Sequence, residues 1–208
     1  MRKTDLFLSA VIGFLNGLFF LFLLGQMGRK IPYAYLLPLA FALLGAAGMY
    51  VAFLIAKKLI IFLQAAKFFL VGTLNTFIDI GVLNIFMKFS GIDSGPFYSL
   101  LKTFLFLIAT TNSYFWNKYW TFEKREKTEQ ASNEFLKFLI VTTFGLLINV
   151  GIATVIVNVT GPQFRIHLTT FMGADIYLPV AQVIAPVIAA FGAFLWNFLS
   201  SKFIVFRK

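Results

Sequence analysis

The sequence has no cysteine, a single histidine and only eight acidic residues among 208. Without cysteine there are no disulfides, no thiol chemistry and no cysteine-ligated metal. The lone His167 argues against a histidine metal site or a histidine-centred triad, and no glycine-rich loop ending in lysine offers a nucleotide site. Neither a catalytic constellation nor a cofactor or metal is expected. Charge is also scarce, at 12% of residues, about half of what a soluble domain carries.

Apolar residues take its place. They make up 60% of the chain, 28 of them phenylalanine, and they fall in blocks rather than amphipathic stripes. Blocks of about 20 apolar residues are what a bilayer core requires. Six can be drawn, at about Leu6–Leu24, Pro32–Ala56, Phe68–Phe89, Phe97–Phe122, Phe135–Val159 and Leu178–Phe206. The first follows MRKTD in the charge-then-apolar order of a signal peptide. It is longer than a typical secretory core and no small-x-small site follows, so a retained helix is expected. The segment KKLIIFLQAAK is short and bracketed by lysine, which suits an interfacial amphipathic helix better than a span.

The net charge of +10 sits at the block ends. There it sets topology and meets anionic lipid or a phosphate-bearing substrate, with no nucleic acid implied. With the N-terminus inside, thirteen Lys and Arg fall on the inner side and five on the outer. The expectation is a multi-pass membrane protein with both termini cytoplasmic.

An internal repeat organises the rest. KFFLVGTLNTFIDIG from Lys67 aligns with KFLIVTTFGLLINVG from Lys137, and SYFWNKYWTF from Ser113 aligns with NFLSSKFIVF from Asn197. The offsets are 70 and 84, which places a 14-residue insertion in the last outer loop. The expected fold is all-α: an added helix pair over 1–56, an interfacial segment over 57–66, and a four-helix domain over 67–208. That domain is built of parallel repeats, 67–134 and 137–208.

The residues KFFLVGTLNTFIDIG with WNKYWTF, and the weaker second copy ending NFLSSKFIVF, resemble the GtrA-like family of small four-helix membrane proteins. The resemblance covers Lys67 to Lys208. It implies a role with polyprenyl-phosphate-linked sugars in cell-surface polysaccharide and glycolipid assembly. On that role the chain either translocates the lipid-linked sugar or anchors a glycosyltransferase. A small cation or drug exporter is a third reading. The two extra N-terminal helices and the long last loop depart from the family pattern.

Polar groups within the spans are the candidate substrate-binding residues, because each is costly in hydrocarbon. Asp79 lies roughly 16 Å from the inner end of its helix, Asn75 one turn earlier, and Asn112 and Asn117 at matching depths on the next span. These four read either as a groove for a sugar or phosphate head group or as interhelical glue. Asn149 and Asn197 belong to the second copy, Asn149 standing where Asp79 does. Lys118 and Lys202 recur at inner helix ends, where a phosphate pair and simple snorkelling are both open. Trp120 belongs to an interfacial aromatic belt or stacks on a sugar. Four helices make a thin bundle, so a homodimer is expected alongside lipid and a glycosyltransferase as partners.

Overall fold

A computed structural model describes residues 2–26, 31–57, 59–91, 94–124, 131–161, 163–171, 174–180 and 184–207, without the side chains of 26, 79, 80, 167–171 and 174–179. Six α-helices are present: α1 (Lys3–Gln26), α2 (Leu37–Ala56), α3 (Ile61–Ser90), α4 (Gly95–Trp116), α5 (Ala131–Thr160) and α6 (Ala185–Ser200). All but α4 are long and apolar enough to cross a membrane, α6 together with the helical turn that continues it to Val205. The exception spans 22 residues, but a lysine, an asparagine and five Ser/Thr dilute it. The chain is a multi-pass membrane protein, and large side chains such as Leu43, Phe89, Val159 and Phe191 stand exposed on its helices, as a lipid-facing surface requires.

Residues Ile61–Lys67, expected to lie in a separate interfacial helix, are the first two turns of α3. No proline or glycine separates them from the following span, so the hydrogen-bond ladder runs on uninterrupted. The long loop between α5 and α6 carries an antiparallel hairpin, β1 (Arg165–Phe171) with β2 (Ala174–Pro179), bulged between His167 and Thr169.

The chain divides into two compact units, Met1–Lys127 and Thr128–Lys208. In the first, α1 and α2 touch backbone to backbone. A methyl group at Gly13 would run into the Phe41 carbonyl, and one at Gly45 into that of Ser9. Small residues permit such an approach, which hydrocarbon otherwise gives little reason to make. Ile12, Met49, Val71, Leu74 and Trp120 form the buried cluster beneath. Gly91, at φ 67°, ends α3, its amide on the Met87 carbonyl, and Pro96 sits in the first turn of α4, where a missing N–H costs nothing.

In the second unit α5 pairs with α6. The Trp196 indole donates to the Val141 carbonyl at 3.0 Å, and Asn197 lies against Gly145, where any side chain would overlap it.

Both α4 and α6 end in a π-helical turn, Asn117–Thr121 and Ser201–Val205. The starts of α3 and α5 are 70 residues apart, and both helices are 30 residues long. The two π turns begin 84 residues apart.

Candidate functional site

The first unit carries a cleft of about 490 Å³ at the N-terminal end of α1, lined by Arg2, Thr4, Leu8, Asn112, Phe115, Trp116, Tyr119 and Trp120. Thr4 and Leu8 are one helical turn apart and so share a face. Asn112, Phe115, Trp116 and Tyr119 recur at three- and four-residue intervals along α4 and its π turn. The π turn admits an extra residue, and such insertions re-aim side chains, frequently at functional sites. Phe115 and Tyr119 stack with rings 6.2 Å apart, 7° from parallel. Trp116 meets Trp120 edge-on at 5.7 Å. Such a wall offers flat faces with polar tips.

Behind the cleft lies a charge cluster. Lys67 is almost wholly buried, and its ammonium lies 2.7 Å from Asp5 Oδ1 and 3.2 Å from Glu123 Oε1. It also lies 3.4 Å from the Trp120 carbonyl. The Trp120 indole N–H donates to the same Asp5 oxygen at 3.1 Å. The Arg2 guanidinium bonds both Asp5, at 3.3 Å, and Glu123. The bond to Asp5 holds that guanidinium above its usual pKa, against the opposing pull of burial. Two cations thus face two carboxylates. A buried pair is tolerated only when its remaining donors and acceptors are satisfied, and the indole and the carbonyl do that here.

The sequence candidates fall into three settings. Asn75 and Asn112 meet: Asn112 Nδ2 donates to Asn75 Oδ1 at 2.8 Å, and Asn75 Nδ2 donates to the Val71 carbonyl. Asn112 reaches the cleft while Asn75 is buried behind it. Asn117 belongs to a ladder on its own helix, donating to Ser113 and accepting from Thr121. Lys118, read as an inner-surface cation, is 4% exposed. Its ammonium donates to the Tyr114 hydroxyl at 3.0 Å and lies over the Tyr114 and Tyr119 rings. Trp120 lines the cleft with its indole nitrogen committed to Asp5. The side chain of Asp79 lies outside the described residues.

In the second unit Asn149 is half-buried on α5. Asn197 Oδ1 and Ser201 Oγ are buried with no hydrogen-bond partner among the described residues. Lys202 lies 5.5 Å from the Phe203 ring centre.

Sequence reasoning missed Asp5, Arg2, Glu123 and the burial of Lys67. One signal was available: Asp5 is the sole acid in the first 78 residues, and an isolated acid at the head of an apolar helix calls for a partner. A second groove, about 380 Å³, runs between α1, α2 and α3 past Gly13, Asn16, Gly48, Phe69, Thr73 and Phe77. Asn16 donates to Thr73 there at 2.8 Å.

Comparison with curated proteins and with solved structures finds no significant match. Residues 67–206 match the family described as GtrA/DPMS, transmembrane domain. That stretch begins at the buried Lys67, takes in both π turns and leaves Arg2 and Asp5 outside it. The chain belongs to the GtrA/DPMS transmembrane domain family, preceded by two helices of its own.

Proposed function

We propose that this protein translocates a polyprenyl-phosphate-linked sugar, or a related glycolipid precursor, during cell-surface glycan assembly, and that the cleft beside α4 receives the head group. The observation that carries the reading is the cleft's lining: four aromatic rings, an asparagine and an arginine beside apolar helices. Sugars present flat apolar faces and hydroxyl rims, which rings and an amide suit, and a phosphate suits a guanidinium. Membership of the family supports the same substrate class.

On this reading α4 also crosses, as the fourth of six spans, and both termini are cytoplasmic, consistent with the excess of Lys and Arg at that side. The family domain is a pair of parallel two-helix repeats. Matching helix lengths and matching π turns support this. Asn75 and Asn112 steer the head group, and Asp79 of α3 serves as the proton-coupling group. Lys118 braces the aromatic wall, and Lys202, Asn149 and Asn197 serve the second copy. The assembly is a homodimer working beside a glycosyltransferase.

The test is reconstitution of purified protein into liposomes with a fluorescent polyprenyl-phosphate sugar. Flip well above empty liposomes, lost in Trp116→Ala, is expected. Protein that flips nothing but co-purifies with a glycosyltransferase is a scaffold, and the translocation reading fails.

A further inference from the structure

We propose that Arg2, which lies outside the family domain, is the phosphate-contacting, specificity-determining residue of the cleft, so that the added N-terminal module completes the head-group site. This rests on reading the cleft as a head-group site and names the group that selects the ligand's anion.

The argument starts from donor counting. A guanidinium carries five N–H donors in a planar fork. In Arg2 one terminal nitrogen serves both Asp5 and Glu123. No other side-chain nitrogen of Arg2 has a protein partner among the described residues. The uncommitted edge, Nε with the second terminal nitrogen, has the geometry that takes two phosphate oxygens at once.

The fork is also held in place beforehand. Asp5 is fixed by Lys67 and the Trp120 indole, and it in turn fixes Arg2 at the cleft wall. A side chain ordered before the ligand arrives loses little rotamer freedom on binding. The cluster is neutral as a whole, with Arg2 and Lys67 against Asp5 and Glu123. Selectivity therefore comes from directed hydrogen bonds rather than from a net positive field. Within the proposed substrate class, the ligand is a phosphate ester on a long apolar chain.

The experiment uses the full chain in phosphatidylcholine nanodiscs with three probes: undecaprenyl phosphate, undecaprenol and phosphatidylglycerol. Wild type is expected to bind undecaprenyl phosphate at least about tenfold more tightly than either other probe, the scale of one good charged contact. Arg2→Gln removes that preference while undecaprenol binding stays. Arg2→Lys, which keeps the charge but not the fork, restores only part of it, and it tests the fork even if Arg2→Gln does not fold. Lys3→Gln, an exposed neighbouring cation outside the cleft, keeps the wild-type preference. An undiminished preference in Arg2→Lys, or in a folded Arg2→Gln, overturns the inference and leaves the head-group reading standing. Equal binding of phosphatidylglycerol identifies a contact with bulk lipid and also overturns it. Wild type that binds none of the probes overturns the head-group reading as well.

Discussion

The π turn after α4 and the π turn after α6 share a backbone and differ in what their side chains meet. In each, the amide after the turn bonds the carbonyl that opens it, Phe122 to Asn117 at 2.9 Å and Phe206 to Ser201 at 2.8 Å. In each, that phenylalanine packs on a ring of the preceding helix, Phe68 at 6.2 Å and Phe138 at 5.8 Å. Around this shared frame the polar groups diverge. The first turn has a satisfied ladder, a committed indole and a buried Lys67. At the corresponding places the second has orphaned Asn197 and Ser201 oxygens, an exposed Ile204 and an exposed Lys137. An aromatic clasp is enough to shape the turn. The committed indole and the buried lysine both meet Asp5, which the added module supplies.

One further exchange separates the two helix pairs. Asn75 corresponds to Gly145 at the offset of 70, and Ser113 to Asn197 at the offset of 84. The α3–α4 pair thus carries two bonded amides, Asn75 and Asn112, at its crossing, and the α5–α6 pair has Asn197 on its trailing helix, which needs the glycine opposite.

The largest effect expected of a single change is at Lys67. Lys67→Met leaves Asp5 buried without its nearest cation, a loss of about 3–5 kcal/mol, read as SDS-induced unfolding in mixed micelles. Lys137→Met, at the corresponding place, costs less than about 0.5 kcal/mol. Equal losses at the two lysines would dissolve the contrast between the two helix pairs. Gly145→Ala comes next, at about 1–3 kcal/mol from overlap with the Asn197 amide. Adding Asn197→Ala should recover most of that, and failure to do so would place the clash elsewhere. A double-mutant cycle on Asn75 and Asn112, both changed to alanine, should give a coupling of about 0.6–1.7 kcal/mol. A coupling of zero would remove the bonded amides as a feature of that crossing. Smallest is Lys202→Gln, within about 0.5 kcal/mol, against about 1 kcal/mol for Lys118→Gln, which loses its bond to the Tyr114 hydroxyl.

Local pattern made part of this legible beforehand. Helix depth sets Asn112 level with Asp79 and Asn117 level with Asn75, whereas the bond that forms joins Asn112 to Asn75 at 2.8 Å, about one turn away from that pairing. Hydropathy drew the helices because a bilayer imposes their length. The charge cluster was not readable in the same way. Whether Asp5 meets Lys67 depends on which face α1 turns toward α3, and that is set by the glycine contact between α1 and α2. The charge count sets Lys67 and Lys118 on the inner side, with Lys118 open to a phosphate or to snorkelling. Here a carboxylate pair holds one and a tyrosine hydroxyl and two rings hold the other. The hairpin in the last loop leaves no such hydropathy signal, because strands of seven and six residues are far shorter than a span.

The bond from Trp120 to Asp5 joins residues 115 positions apart, and this has a consequence for biogenesis. Synthesis delivers the N-terminus first, so Asp5 reaches the membrane while two of its partners' elements are still unmade. Lys67 arrives with the third helix, and the indole and Glu123 only after the fourth. The cluster can close only once the first unit's helices are all present, before the second unit has been made. Its closure is thus a built-in checkpoint on assembly order: a chain halted within α4 holds an acid and a lysine at the membrane with neither the indole nor Glu123 to complete them.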